Sequence, residues 1–84
     1  MSTVQKHFLR IQILVALNQF APNKCPERSL FAQMNIVLSA VTESELRTAL
    51  QWLKDKAYID FSVEELSEQK LWFITSSGKA TLPK

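Results

Sequence analysis

Apolar residues follow a helical spacing up to about residue 57 and an alternating spacing after it. The clearest stretch is Thr42–Ile59, TESELRTALQWLKDKAYI. Leu46, Ala49, Leu50, Leu53 and Ala57 fall on one helix face. Ser44, Thr48, Gln51 and Asp55 fall on the opposite face, with Arg47 at its edge. Thr42 is placed to cap this helix, and Glu45 to close a capping box by reaching back to the Thr42 backbone.

Two earlier segments share the helical period. The first runs from about Val4 to Phe20 and is apolar on two faces. Val4, Phe8, Ile11 and Val15 make one face; Leu9, Ile13, Ala16, Leu17 and Phe20 make the other. Such a helix is either wedged centrally in the fold or shared with another chain. APNKCP, residues Ala21–Pro26, reads as a loop, and Pro26 suits the first turn of a second helix. That helix spans about Pro26–Leu38, with Leu30, Met34 and Val37 as its buried stripe and Phe31 and Leu38 beside it. Ser39–Val41 is a turn without glycine.

The period becomes two at Tyr58–Val63, where Ile59, Phe61 and Val63 alternate with Tyr58, Asp60 and Ser62. Polar EELSEQ, Glu64–Gln69, follows, and Lys70–Thr75 is a second strand. The sole glycine, Gly78, marks a sharp turn out of the sheet, and Ala80–Lys84 is a short tail. The expected architecture is α+β: three helices and then a two-stranded hairpin, in one domain over residues 1–84.

Composition narrows the chemistry. The chain has 84 residues, of which 46% are apolar, with five Phe and two Trp. That is enough bulk for a core, although a chain this short buries only about 60–65% of its unfolded surface. A single Cys25 excludes an internal disulfide and fits a reducing cytoplasm. One Cys and one His argue against a structural zinc site. The N-terminal apolar run is read as a folded helix, not a signal peptide. Gln12 interrupts it, Asn18-Gln19 follows it, and no small-residue cleavage site appears. No apolar run approaches the roughly 20 residues that span a membrane.

Net charge is +2, unevenly spread. Residues 1–42 hold Lys6, Arg10, Lys24 and Arg28 against Glu27, a net +3. Residues 43–84 hold six basic and seven acidic side chains, a net −1. The polar face of the third helix carries the short side chains that reach base edges in a DNA major groove: Ser44, Arg47, Thr48 and Gln51. Lys54, Lys56 and Lys70 are candidates for phosphate contacts. The same helix begins with Glu43 and Glu45, whose plain role is to complement the helix dipole. Glu64, Glu65 and Glu68 make the hairpin tip acidic, which suits a protein partner better than phosphate.

Other motifs lead nowhere. Ser76-Ser77-Gly78-Lys79 lacks the upstream glycine and following hydroxyl of a phosphate-binding loop. His7 is read as an exposed polar residue. Lys24 and Arg28 near Cys25 favour a lowered thiol pKa, yet no His and carboxylate accompany it. Trp52 and Trp72 are expected to pack between helix and sheet. No nucleophile–base pair, cofactor motif or metal cluster is visible, so the chain reads as non-enzymatic.

The segment Leu30–Leu82 resembles the winged helix-turn-helix superfamily of bacterial and phage regulators. LRTALQWLKDKAYIDF and WFITSSGKATL carry the resemblance. Leu53-Lys54-Asp55-Lys56-Ala57-Tyr58-Ile59 matches its helix-to-strand passage, with Ala57 where glycine is usual. Ile74-Thr75-Ser76-Ser77-Gly78 matches the end of its second wing strand. More narrowly, Val41–Ile59 and the hairpin resemble small regulators of Mu-like phages and prophages, often grouped with the arsenic-repressor type by fold. The resemblance implies a cytoplasmic protein that binds double-stranded DNA in transcription regulation, without a cofactor. The alternative is a protein-interaction module on the same scaffold, using the acidic wing. Homodimerisation is expected through Leu9, Ile13, Leu17 and Phe20, a face that a domain this small leaves uncovered.

Overall fold

The helical and strand segments form where the spacing puts them, with two additions. The computed structural model describes residues 3–38 and 40–82, with side chains from residue 5 onward. The elements are α1 (Thr3–Phe20), β1 (Cys25–Pro26), α2 (Glu27–Val37), α3 (Glu43–Asp55), β2 (Ile59–Val63), β3 (Lys70–Ile74) and α4 (Ser76–Thr81). The sheet has three antiparallel strands in the order β1-β3-β2.

The first addition is β1, in a segment expected to be loop. Cys25 pairs with Trp72 and Pro26 with Leu71. A two-residue strand has no periodicity to read, and proline is tolerated here because β1 is an edge.

The second addition is α4, where a turn and tail were expected. Its start is tied to the hairpin by Thr75. The Thr75 hydroxyl donates to the Ala57 carbonyl at 2.6 Å and accepts from the Gly78 N–H at 3.2 Å. The Thr75 N–H donates to the Tyr58 carbonyl at 3.1 Å. Gly78 lies inside α4, is buried, and has no positive φ. A Cβ there would overlap the Tyr58 carbonyl oxygen and stand 2.7 Å from Ile74 Cγ1. Close approach, not turning, explains this glycine. Residues 83 and 84 of the expected tail lie outside the described residues.

α1 is central. Leu9, Ile13, Ala16 and Leu17, together with Leu14, are buried, and α1 packs on α2, α3, β3 and α4. This corrects the expected dimer seam. Leu9, Ile13 and Leu17 are at most 1% exposed within one chain, so they form the interior and cannot meet a second copy. Only Phe20, at 40%, is exposed. The opposite apolar stripe is the outer one: Phe8 is exposed, and Ile11 and Val15 are half-buried. The Val4 side chain lies outside the described residues. The two stripes look alike in sequence, and the packing of the other elements chooses between them.

In α2, Leu30 and Met34 are buried, whereas Val37 is exposed near the helix end. Asn35 Oδ1 accepts from the Val41 N–H at 3.0 Å and its Nδ2 donates to the Phe31 carbonyl at 3.1 Å, which pins the turn into α3. Ala40 takes φ 61 in that turn, the left-handed region that glycine adopts more easily. Ser39 lies outside the described residues.

Candidate nucleic-acid interface

α3 is fixed at both ends, and this fixes which side chains it displays. The Thr42 hydroxyl accepts from the Glu45 N–H at 3.2 Å, and the Thr42 N–H donates to Glu45 Oε1 at 3.0 Å, the expected capping box. The Thr42 backbone and hydroxyl bonds together hold the Glu45 carboxyl below the usual carboxylate range. At the other end the Ala57 N–H donates to the Lys54 carbonyl at 2.9 Å and the Tyr58 N–H to the Leu53 carbonyl at 3.0 Å. These are the two bonds of a Schellman cap. Ala57, expected on the apolar face, instead sits exposed at φ 63 as the capping residue.

With Leu46, Ala49, Leu50 and Leu53 buried, Ser44, Arg47, Thr48 and Gln51 all face solvent. Three of these side chains have local partners. The Thr48 hydroxyl donates to the Ser44 carbonyl at 2.9 Å, and Gln51 Nε2 to Asp55 Oδ1 at 2.8 Å. Arg47 pairs with Glu43 at 3.4 Å, an exposed pair of little stability.

The wing side of α3 opens on a cleft of about 840 Å³ between α2, α3 and the hairpin tip. Arg28, Arg47 and Lys70 line it, opposed by Glu27, Glu43 and Glu68. Lys54 pairs with Asp60 at 3.6 Å and lies 5.4 Å from the Phe61 ring centre, while Lys70 lies 5.0 Å from the same ring. At the tip, Glu64, Glu65 and Glu68 are exposed. Val63 and Leu66 stand exposed among them, Leu66 at 95%. The cations of this flank are therefore matched by acids.

The other flank is built by α1. A notch of about 170 Å³ lies between Lys6, Leu9 and Arg10 of α1 and Ser44, Glu45, Thr48 and Ala49 of α3. The Arg10 guanidinium stacks 4.1 Å from the centre of Trp52, and Lys56 lies 5.6 Å from it. Trp52 is half-buried on this flank, near Tyr58 at 6.3 Å between centroids. Trp72 is the tryptophan buried in the core, against Phe61.

The seven candidate residues thus divide. Arg47, Lys54 and Lys70 gather on the wing side, Lys56 sits by α1, and Ser44, Thr48 and Gln51 lie on the face between. The sequence reading missed Lys6, Arg10 and Arg28, which α1 and α2 bring to α3 from the more basic half of the chain. Only the net +3 of that half hinted at them.

The remaining candidates resolve simply. Cys25 is buried, and desolvation pushes its thiol up to about 11, opposite to the lowering expected from Lys24 and Arg28. Lys24 turns away, donating to Ser62 Oγ at 3.0 Å and lying 5.4 Å from the Phe73 ring centre. Ser76-Ser77-Gly78-Lys79 is spent on α4. Among the described residues, no group of three His, Cys, Asp or Glu side chains could hold a metal, and no helix is long and apolar enough to cross a membrane.

No family model and no curated protein sequence matches the chain. Two solved structures are similar in backbone. One is a PadR-like transcription factor from Bacteroides fragilis, with a TM-score of 0.77 and 18% identity, covering 92% of this chain and 75% of that one. The other is a Thermoplasma acidophilum protein proposed as a transcriptional regulator, with a TM-score of 0.75 and 17% identity, covering 94% of this chain and 75% of that one. At such identities the likeness concerns the fold. Together with the element order, it makes this chain a winged helix-turn-helix, with α2 and α3 as the helix pair and β2–β3 as the wing.

Proposed function

We propose that this chain is a non-enzymatic DNA-binding regulator or accessory factor of the cytoplasm. The observation that carries the reading is the outer face of α3. It offers Ser44, Arg47, Thr48 and Gln51 to solvent on a helix fixed at both ends, with cations on either side. Short polar groups and a guanidinium suit base edges in the major groove, and Lys54, Lys56 and Lys70 suit phosphates. The transcription-related descriptions of the two similar structures support the same reading. Within it, the sequence resemblance of Val41–Ile59 and the hairpin to regulators of Mu-like phages supports a prophage origin.

The low net charge implies modest affinity and a shallow salt dependence, because few counterions are released. Arg47→Ala is expected to relax specificity at one base position, at a cost of about 1–3 kcal/mol for the preferred sequence. Lys56→Ala is expected to weaken all sequences alike. Gel shifts with a selected duplex and a scrambled one read both effects, and indifference to both substitutions would sink the assignment.

A second reading, a protein-interaction module, is favoured by the exposed Val63 and Leu66 among three glutamates at the wing tip. Capture of one stoichiometric protein partner, with no DNA retained at low salt, would select it.

Homodimerisation belongs to the first reading, since a two-fold pair would set two recognition helices about one DNA turn apart. The face available for it on α1 is Phe8, Ile11 and Val15. Sedimentation equilibrium at micromolar concentration should give twice 9.6 kDa for wild type and a monomer for Val15→Glu. A wild-type monomer mass removes the dimer.

A further inference from the structure

We propose that Lys6 and Arg10 of α1, with Lys56, form a phosphate clamp beside α3, so that the DNA backbone is held more firmly from the first helix than from the wing. This inference rests on the DNA-binding reading. It begins from a contrast between the two flanks. On the wing side, Arg47 and Lys54 each hold an acid, at 3.4 and 3.6 Å. Lys70 shares its cleft with Glu27, Glu43 and Glu68. A phosphate approaching there competes with Glu43 for Arg47 and with Asp60 for Lys54, and it meets the carboxylates of the tip around Lys70.

On the α1 side, none of Lys6, Arg10 and Lys56 has an acid within ion-pair distance among the described residues. Glu45 lines the same notch and feels the charge of Lys6, but only weakly: its Oε1 is held by the Thr42 N–H and hydroxyl, each at 3.0 Å, and it makes no ion pair there. Arg10 is held in place without being neutralised. Its guanidinium stacks on Trp52, and its Nε is buried with no hydrogen-bond partner. A guanidinium stacked on an indole keeps its charge and loses little freedom when an anion binds.

The placement also fits a backbone. Lys6 lies by the first turn of α3, whereas Arg10 and Lys56 lie at Trp52. Ser44 to Trp52 spans about 12 Å along the helix axis. One strand rises about 3.4 Å per phosphate, so the row accommodates more than one. Ser44 and Thr48 belong both to the notch and to the reading face, so phosphate held there would abut bases met by α3.

Fluorescence anisotropy with a labelled mixed-sequence duplex, over a salt series, tests the clamp. The variants are Lys6→Gln and Arg10→Gln, set against Lys54→Gln and Lys70→Gln, which remove the same charge from the wing side. Each α1 substitution is expected to weaken binding roughly three- to ten-fold for every sequence and to reduce the log–log salt slope by about 0.9. The wing-side pair should weaken binding less and reduce the slope less than the α1 pair, because acids share that flank. The clamp is overturned if Lys6→Gln and Arg10→Gln match the parent while Lys70→Gln loses affinity, or if all four behave alike. If the parent chain binds no duplex at low salt, the DNA reading itself fails and the clamp with it. Thermal unfolding of Arg10→Gln guards against lost Trp52 packing, and exposed Lys6 supplies a variant free of that concern.

Discussion

Leu50→Ala is expected to lower the free energy of unfolding by about 2–5 kcal/mol, the usual range for a fully buried leucine. Leu50 is 1% exposed, on the α3 stripe with Leu46 and Leu53, in a cluster that includes Leu30 and Met34. Truncation removes apolar area and leaves a cavity that its neighbours fill only partly. Domains of this length are stable by roughly 4–13 kcal/mol at ordinary per-residue values. The variant therefore loses a substantial share of its stability. Urea denaturation followed by circular dichroism measures the change, and an unchanged midpoint would show that Leu50 does not organise the core. Because α3 is placed by that stripe, DNA binding should weaken as the native fraction falls.

Gly78→Ala and Ala57→Gly are expected to move stability in opposite directions, although both exchange the same two residues. At Gly78 a methyl group overlaps the Tyr58 carbonyl and crowds Ile74, and the obstructing oxygen is backbone. Alanine is the better helix former by about 1 kcal/mol. Overpacking costs about 1–3 kcal/mol, more where backbone must shift, so the clash wins and Gly78→Ala destabilises. At Ala57 the left-handed φ of 63 costs an L-residue about 1–2 kcal/mol, which glycine avoids. Ala57→Gly therefore raises the melting temperature by a few degrees, for a gain of about 1 kcal/mol. Thermal unfolding of both variants decides the matter. A stabilised Gly78→Ala would mean that α4 does not pack under Tyr58.

The same two positions show what kind of information local sequence carries. The helix end near Ala57 could be read because it is local, although spacing alone put Ala57 itself on the apolar face. The apolar stripe stops, two lysines stand near, and a strand period begins within a few residues. The role of Gly78 could not, since the atoms that exclude a side chain belong to Tyr58 and Ile74 and reach it only through the hairpin. β1 was hidden for a related reason: Cys25 and Pro26 become a strand through partners more than forty residues away.

What the sequence determined by itself is the set of locally encoded elements. α3 with its capping box, the β2–β3 alternation and the four polar residues on the outer face of α3 follow from spacing within a few turns. The tertiary structure decided everything that depends on which faces meet. It chose between the two apolar stripes of α1, burying Leu9, Ile13 and Leu17 and leaving Phe8 outside. It withdrew Cys25 from solvent and brought Lys6, Arg10 and Arg28 to the helix whose own half of the chain is acidic. Periodicity fixes the faces of an element, but burial and charge depend on distance in space, which chain order does not encode.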